Sequence, residues 1–326
     1  MRNAFIKKLS LLAEKDPRIF LITGDLGFGV LEEFARCSPR QYLNVGVAEQ
    51  NMTGIATGLA LEGRIVYTYS IGNFPTLRCL EQLRNDACYH GANVNVVSIG
   101  GGFSYGALGF SHHATEDLSI LRSLPGMTVM APCDTWEVEE ATSALSQKSG
   151  VGYLRLDKSS APLKPKEGEV FHIGKSRCVR EGNDLTFVVA GGILEEVLKA
   201  SELLKAEGIE ARILSMHTIK PLDTEALFEA VRTSEGIVTV EEHTIEGGLG
   251  GAVAESCLEA GVVPRFFYRF GLRQGFSSLI GSQAYMRRLY GLDAEAIAKR
   301  VKELVSERDA QKIHRLERFP NAQENF

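Results

Sequence analysis

The chain has 326 residues, enough for two ordinary domains. With 44% apolar and 24% charged residues it has the composition of a soluble globular protein, and a formal charge of −5 argues against nucleic acid or an acidic membrane as a bulk partner. Its six cysteines (Cys37, Cys79, Cys88, Cys133, Cys178, Cys257) form no CxxC pair and no zinc-like spacing, so they read as reduced thiols of a cytoplasmic protein; no apolar run approaches a membrane span.

Taken in order, residues 3–15 carry a helical stripe of Phe5, Ile6, Leu9, Leu12 and Ala13 that Pro17 ends; Glu14 and Asp16 favour a folded helix over a signal peptide. Residues 19–25 read as a buried strand, and LGFGV after it lacks the GxGxxG spacing of a dinucleotide loop. The stretch 42–63, YLNVGVAEQNMTGIATGLALEG, organises the chain. A short approach ends at Gly46, and Glu49 opens a helix whose Gly54, Ala56, Gly58 and Ala60 are too densely small for a surface helix. That density predicts close packing against a partner element or chain. Glu49 reads either as a first-turn acid stabilising the helix end, or as a carboxylate among apolar neighbours with a raised pKa, able to hold or pass a proton.

Strands at 64–70, 94–102, 127–132 and 152–157 alternate with helices at 75–91, 111–126 and 135–147. This predicts an α/β fold with a mainly parallel sheet flanked by helices on both faces, and ligands at the carboxyl ends of its strands. Asp25, Glu49, the loops 70–77 and 100–113, and Arg155 fall there. The expected organisation is a first domain over 1–160, a proline- and charge-rich connection over 161–183, a second α/β domain over 184–305 with strands at 184–192, 210–222 and 236–243, and a charged helical tail over 306–326. The tail reads as a terminal helix or as a docking element for a partner.

NVGVAEQN (44–51) resembles the GxAEQN segment of the transketolase family. The resemblance continues through LEQLRNDACYHGANVNVVSIGG (80–101), SYGALGFSHHATEDLSILRSLPGMTVMAPCD (104–134), GYLRL (152–156) and VTVEEHTIEGGLGGAVAE (238–255), nearly the whole chain. It covers the pyrimidine-binding and C-terminal domains only. It implies thiamine diphosphate as cofactor and Glu49 as the glutamate that hydrogen-bonds its aminopyrimidine, so that the exocyclic nitrogen can take the thiazolium proton. His112 matches a histidine that contacts donor sugar; His113 stands where the family usually has glutamine. The aromatic wall FxxFxxY appears as Ile71, Phe74 and Leu77, so one ring remains, and Phe74 reads equally as plain core. Asp25 lies in a cofactor-loop position.

Around the substrate the pattern departs. An acidic residue of the family is Leu108 here, and a histidine that helps hold sugar phosphate is replaced by Gly100. Arg155 remains where an arginine often contacts phosphate, or is a strand-end charge. These changes imply a non-standard sugar, since buried polar groups discriminate strongly. The family's GDG…NN pair for diphosphate and Mg2+ is absent: the chain has GDL at 24–26 and no asparagine pair downstream, and no metal site is read in it. The resemblance therefore implies the small subunit of a split transketolase, paired in a dimer of heterodimers with an N-terminal, diphosphate-binding subunit. The alternatives are a 2-oxo acid dehydrogenase beta subunit, whose pattern around the histidine differs, and a non-catalytic regulatory half. Deoxyxylulose phosphate synthase, a third relative, is normally one long chain.

Overall fold

The structure, a computed structural model, describes residues 1–273 and 275–318. Among the described residues twelve strands follow in order: β1 (Ile19–Thr23), β2 (Tyr42–Asn44), β3 (Ile65–Ile71), β4 (Val94–Ile99), β5 (Thr128–Met130), β6 (Gly152–Leu156), β7 (Arg177–Arg180), β8 (Leu185–Ala190), β9 (Ala211–Ser215), β10 (Thr218–Lys220), β11 (Ile237–Thr244) and β12 (Phe267–Leu272). They form two mostly parallel sheets flanked by helices, as the α/β pattern predicts. The first has the order β10-β5-β6-β4-β3-β1-β2 and the second β12-β11-β8-β9-β7. Central strands such as β4, VNVVSI, are buried along their whole length, which is why they read as continuous apolar runs rather than alternating ones.

In the first sheet β2 lies on one side of β1 and β3 on the other. The strand order reverses there, and the crevice outside the carboxyl ends of β1 and β3 is where such sheets take ligands. The segments leaving those ends are 24–31 and 72–77, and the helix Glu49–Leu61 starts just after β2.

Three differences from the sequence pattern have physical causes. Residues 210–222 are not one strand. Residues 213–219 are buried without a gap, which hides the break, but the chain leaves β9 in the second sheet and crosses to pair β10 antiparallel with β5 in the first. Residues 75–91 are not one α-helix: a 3-10 turn Leu77–Cys79 and one α-turn Leu80–Gln82 lead into a π-helix, Leu83–Cys88. The helix read over 111–126 is shorter: Phe110–His112 is a 3-10 turn, and the helix proper is Asp117–Ser123.

β7 lies inside the stretch read as a connection and pairs antiparallel with β9. One apolar cluster spans both sheets, joining Met52, Val66, Leu83 and Val129 to Leu214, Leu227 and Val253. On the helix Glu49–Leu61, Met52 and Ala56 are buried, whereas Gly54 and Gly58 are exposed and a Cβ at either would meet nothing within 4 Å. The last helix, Ala294–Arg318, includes most of the charged tail; residues 319–326 lie outside the described residues. Among the described residues no helix is long and apolar enough to cross a membrane.

Candidate active site

Glu49 is the first residue of its helix and is 2% exposed, facing the crevice between β1 and β3. Its surroundings are polar rather than apolar, which corrects the sequence expectation. Arg78 Nη1 donates to Glu49 Oε2 at 2.8 Å, and Ser70 Oγ, near the end of β3, donates to Oε1 at 3.3 Å. Gly24 supports the same side chain: a Cβ there would lie 3.3 Å from Glu49 Cγ, so the loop after β1 closes on Glu49 through a residue without one.

Asp25 follows in a left-handed conformation, φ 56°, which aspartate tolerates because its short side chain bonds locally. Asn44 Nδ2 donates to Asp25 Oδ1 at 2.9 Å, and Asn44 Oδ1 accepts from the Asp25 and Gly46 amides at 3.0 Å each. Asn44 thereby ties the turn after β1 to the turn before Glu49.

Arg78 carries no signature in the sequence, yet it links Glu49 to the rest of the cluster. Its guanidinium carbon lies 4.6 Å from the centroid of the Phe74 ring, which packs edge-on against His112 at 5.2 Å. Phe74 is half-buried between them, so it belongs to the site wall and not to the sealed core. Ile71 ends β3 beside it, while Leu77 and Leu108 are exposed.

His112 is half-buried, and its imidazole is held below the usual histidine range by burial and, second, by the neighbouring His113. Ser111 Oγ lies 3.1 Å from its Nδ1. His113 does not join it at the surface. That side chain is 3% exposed, its Nε2 lies 3.3 Å from the Gly106 carbonyl and its ring is edge-on to Phe103, so it fills the inside of the loop.

Arg155 is likewise not presented to the crevice. It sits on β6, a central strand covered on both faces, and is 1% exposed. Nη2 donates to the carbonyls of Ala114 and Glu242 at 2.9 and 2.8 Å, and Asp117 and Asp157 flank Nε at 3.4 and 3.8 Å. Its charge is balanced within the first domain by Asp117 and Asp157, while its Nη2 reaches the second domain at the Glu242 carbonyl. Gly100 has φ +92°, and a Cβ there would lie 2.2 Å from the Tyr105 ring. Tyr105 thus fills the space that a side chain at position 100 would need. Its ring lies 6.4 Å from His112, carries the Lys158 ammonium 4.0 Å above it, and lines a cavity with Arg2, Asn3, Ile99 and Asp157. A separate cavity in the second domain, lined by Tyr268, Arg269, Arg273 and Arg300, shares no residue with this cluster.

A buried carboxylate at the strand-order reversal, an aromatic–histidine pair beside it and a second domain packed against the same sheet make this a two-domain α/β protein with a candidate site for a heteroaromatic ring. Residues 1–164 match the transketolase pyrimidine-binding domain and residues 174–297 the transketolase C-terminal domain, and the chain belongs to the transketolase family. It is 34% identical to the 6-deoxy-6-sulfo-D-fructose transketolase subunit SqwH of Clostridium sp. (strain MSTE9), over 95% of each chain. It is 35% identical to an apulose-4-phosphate transketolase subunit of Phocaeicola vulgatus, over 93% of this chain and 97% of that one. A solved split-gene transketolase, described as an inactive beta4 tetramer, superimposes with a TM-score of 0.83 at 32% identity, covering 94% of this chain and 97% of that chain. The family is thiamine diphosphate dependent.

Proposed function

We propose that this chain is the pyrimidine-binding subunit of a split, thiamine diphosphate-dependent transketolase that moves a two-carbon ketol unit from a non-standard ketose to an aldehyde. The observation that carries this reading is Glu49: a buried carboxylate at the β1–β3 crevice, hydrogen-bonded by Ser70 and Arg78, with Phe74 and His112 alongside. Those residues fit the pyrimidine end of the cofactor. Gly24 leaves the carboxylate accessible from the β1 side, Phe74 offers a ring for stacking, and Ile71 supplies an apolar wall. When bound, thiamine diphosphate supplies the carbon nucleophile and the electron sink.

The remaining steps belong to this chain's side chains. Glu49 would hold the aminopyrimidine end of the cofactor by a hydrogen bond from its carboxylate. Arg78 keeps that carboxylate oriented until the ring takes over one of its oxygens. His112, uncharged at neutral pH because burial disfavours its protonation, accepts or donates at a sugar hydroxyl. The cavity edged by Arg2, Tyr105 and Lys158 carries two cations against one carboxylate, Asp157, a balance that suits an anionic substituent on the sugar, a phosphate or a sulfonate. Relatives of similar length whose named substrates are a sulfosugar and a branched sugar phosphate support that choice.

The diphosphate and Mg2+ are assigned to an N-terminal partner subunit, in a dimer of heterodimers, because the chain lacks the GDG…NN pair. The test combines this chain with its diphosphate-binding subunit and measures thiamine diphosphate binding with Mg2+ by calorimetry, then two-carbon transfer. Binding by the pair and by neither subunit alone is expected. Glu49→Gln in the assembled enzyme should lower kcat at least about 100-fold, the scale of a lost proton-transfer partner. Turnover left intact by that substitution would remove the catalytic reading.

A further inference from the structure

His112 rides on the loop 102–114, and the feet of that loop are held from the second domain. Gly102 and Ala114 close the loop by exchanging two backbone hydrogen bonds, at 2.8 and 3.0 Å. The carboxylate of Glu242, on β11, reaches under this closure. Its Oε1 accepts from the Phe103 amide at 2.5 Å and from Gln283 Nε2 at 2.9 Å, and its Oε2 accepts from Arg287 Nε at 2.5 Å. The Glu242 carbonyl shares the Arg155 guanidinium with the carbonyl of Ala114, so the same residue grips both feet. Gly102, at φ +57°, could not carry a side chain, because its Cβ would fall 2.6 Å from Glu242 Cγ. Further along, the Gly281 amide donates to the Gly106 carbonyl at 3.2 Å, and the Thr244 amide to the Thr115 carbonyl at 2.8 Å.

We propose that Glu242 is a positioning residue: through Phe103 and Arg155 it fixes the loop that presents His112, and the second domain serves the site as the anvil for that loop. Glu242 is 2% exposed and bonds to neither Glu49 nor His112, so it acts only through the loop. A carboxylate suits this place because one group must accept from a backbone amide, an amide side chain and a guanidinium together, with each oxygen used. The kinetic consequence rests on the function proposed above; the structural consequence does not.

The experiment compares Glu242→Gln and Glu242→Ala with Glu241→Gln, by hydrogen–deuterium exchange on the full chain and by steady-state kinetics in the assembled enzyme. Glu241 is the control. Its carboxylate accepts from the amides of Leu249 and Gly250 in the same domain and is not bonded to the loop. Exchange in 103–113 should rise about tenfold in Glu242→Gln, the scale of one lost charge-assisted hydrogen bond, and more in Glu242→Ala, while Glu241→Gln leaves the loop unchanged. KM for the ketose should rise with kcat falling, and thiamine diphosphate affinity should hold. Loop exchange unchanged in both Glu242 variants, or raised equally by Glu241→Gln, would overturn the proposal. If the loop loosens as expected but no protein, wild type included, transfers a two-carbon unit, the function reading fails and the positioning role stands. Should Glu242→Ala not fold, the Gln variant carries the test by itself.

Discussion

Glu49 and Arg78 stand 29 residues apart and share one ion pair, with the carboxylate buried and the guanidinium nearly half exposed. The asymmetry sets what each can lose. Arg78→Met leaves Glu49 with Ser70 alone. Because the substitution leaves a buried carboxylate without its cation, while the arginine side is open to solvent, a stability cost of about 1–3 kcal/mol is expected by denaturant unfolding, while thiamine diphosphate affinity in the assembled enzyme should shift. At His112 the sign of the pH dependence follows from burial. An imidazole held below 6.5 stays neutral as the pH falls past that value, so the acid limb of kcat/KM should lie below pH 6.5. His113→Asn removes the lesser of the two causes and should move that limb upward; His112→Asn should abolish it. Glu49, Phe74 and His112 were legible because each lies in a short segment that resembles a family motif, although the fold brings them together from separate stretches of chain. Arg78 was not, since its importance comes from a contact 29 residues back. Arg155 misled in the opposite direction: its place near a strand's carboxyl end was right, but the groups that bury it, Asp117 on a helix of the same domain and the Glu242 carbonyl from the second domain, are far away in sequence.

At the scale of elements, the run Gly100–Gly102 shows why a glycine-rich strand end need not be a ligand loop. Tyr105, Arg155 with Asp157, and Glu242 each occupy the space of one missing Cβ. Gly102→Ala combines a positive φ with a 2.6 Å contact, and a loss of about 2–3 kcal/mol is expected in urea unfolding. The π-helix Leu83–Cys88 and the β9–β10 break were both hidden from periodicity. The first is a single short turn within a longer helical run, and the second falls inside an unbroken buried stretch, residues 213–219, that crosses the change of sheet. The segment after that break carries His217, stacked on Phe171 at 4.2 Å and pushed to a pKa of about 3 by burial and, second, by Arg177. Below 6.5 the unfolded chain binds a proton there that the folded chain refuses until about pH 3. Stability is therefore full above 6.5 and drains as the pH falls, by up to about 5 kcal/mol. In His217→Phe the slope of unfolding free energy against pH between about 4 and 6 should flatten.

For the molecule as a whole, the open stripe of Gly54 and Gly58 on the helix that begins at Glu49 is the face the small residues were expected to give to a neighbour. Gly58→Leu meets nothing within the chain. The isolated protein should gain up to about 1 kcal/mol from helix propensity, whereas sedimentation of the mixture with the partner subunit should show assembly lost. Fold class and two-sheet organisation could be read from alternation alone; how the sheets are joined could not, because three residues of strand carry no pattern of their own. Those three, Thr218–Lys220, also restrict where a gene for this chain could be divided. A break anywhere between β6 and β10 would give a first fragment whose sheet ends on β5, a Thr-Val-Met strand with its amides and carbonyls bared, an invitation to self-association. Such a fragment should be insoluble alone and rescued by co-expression with the remainder. The first sheet of this chain is finished only by a strand drawn from its second half, so the two halves are one folding unit rather than two independent ones.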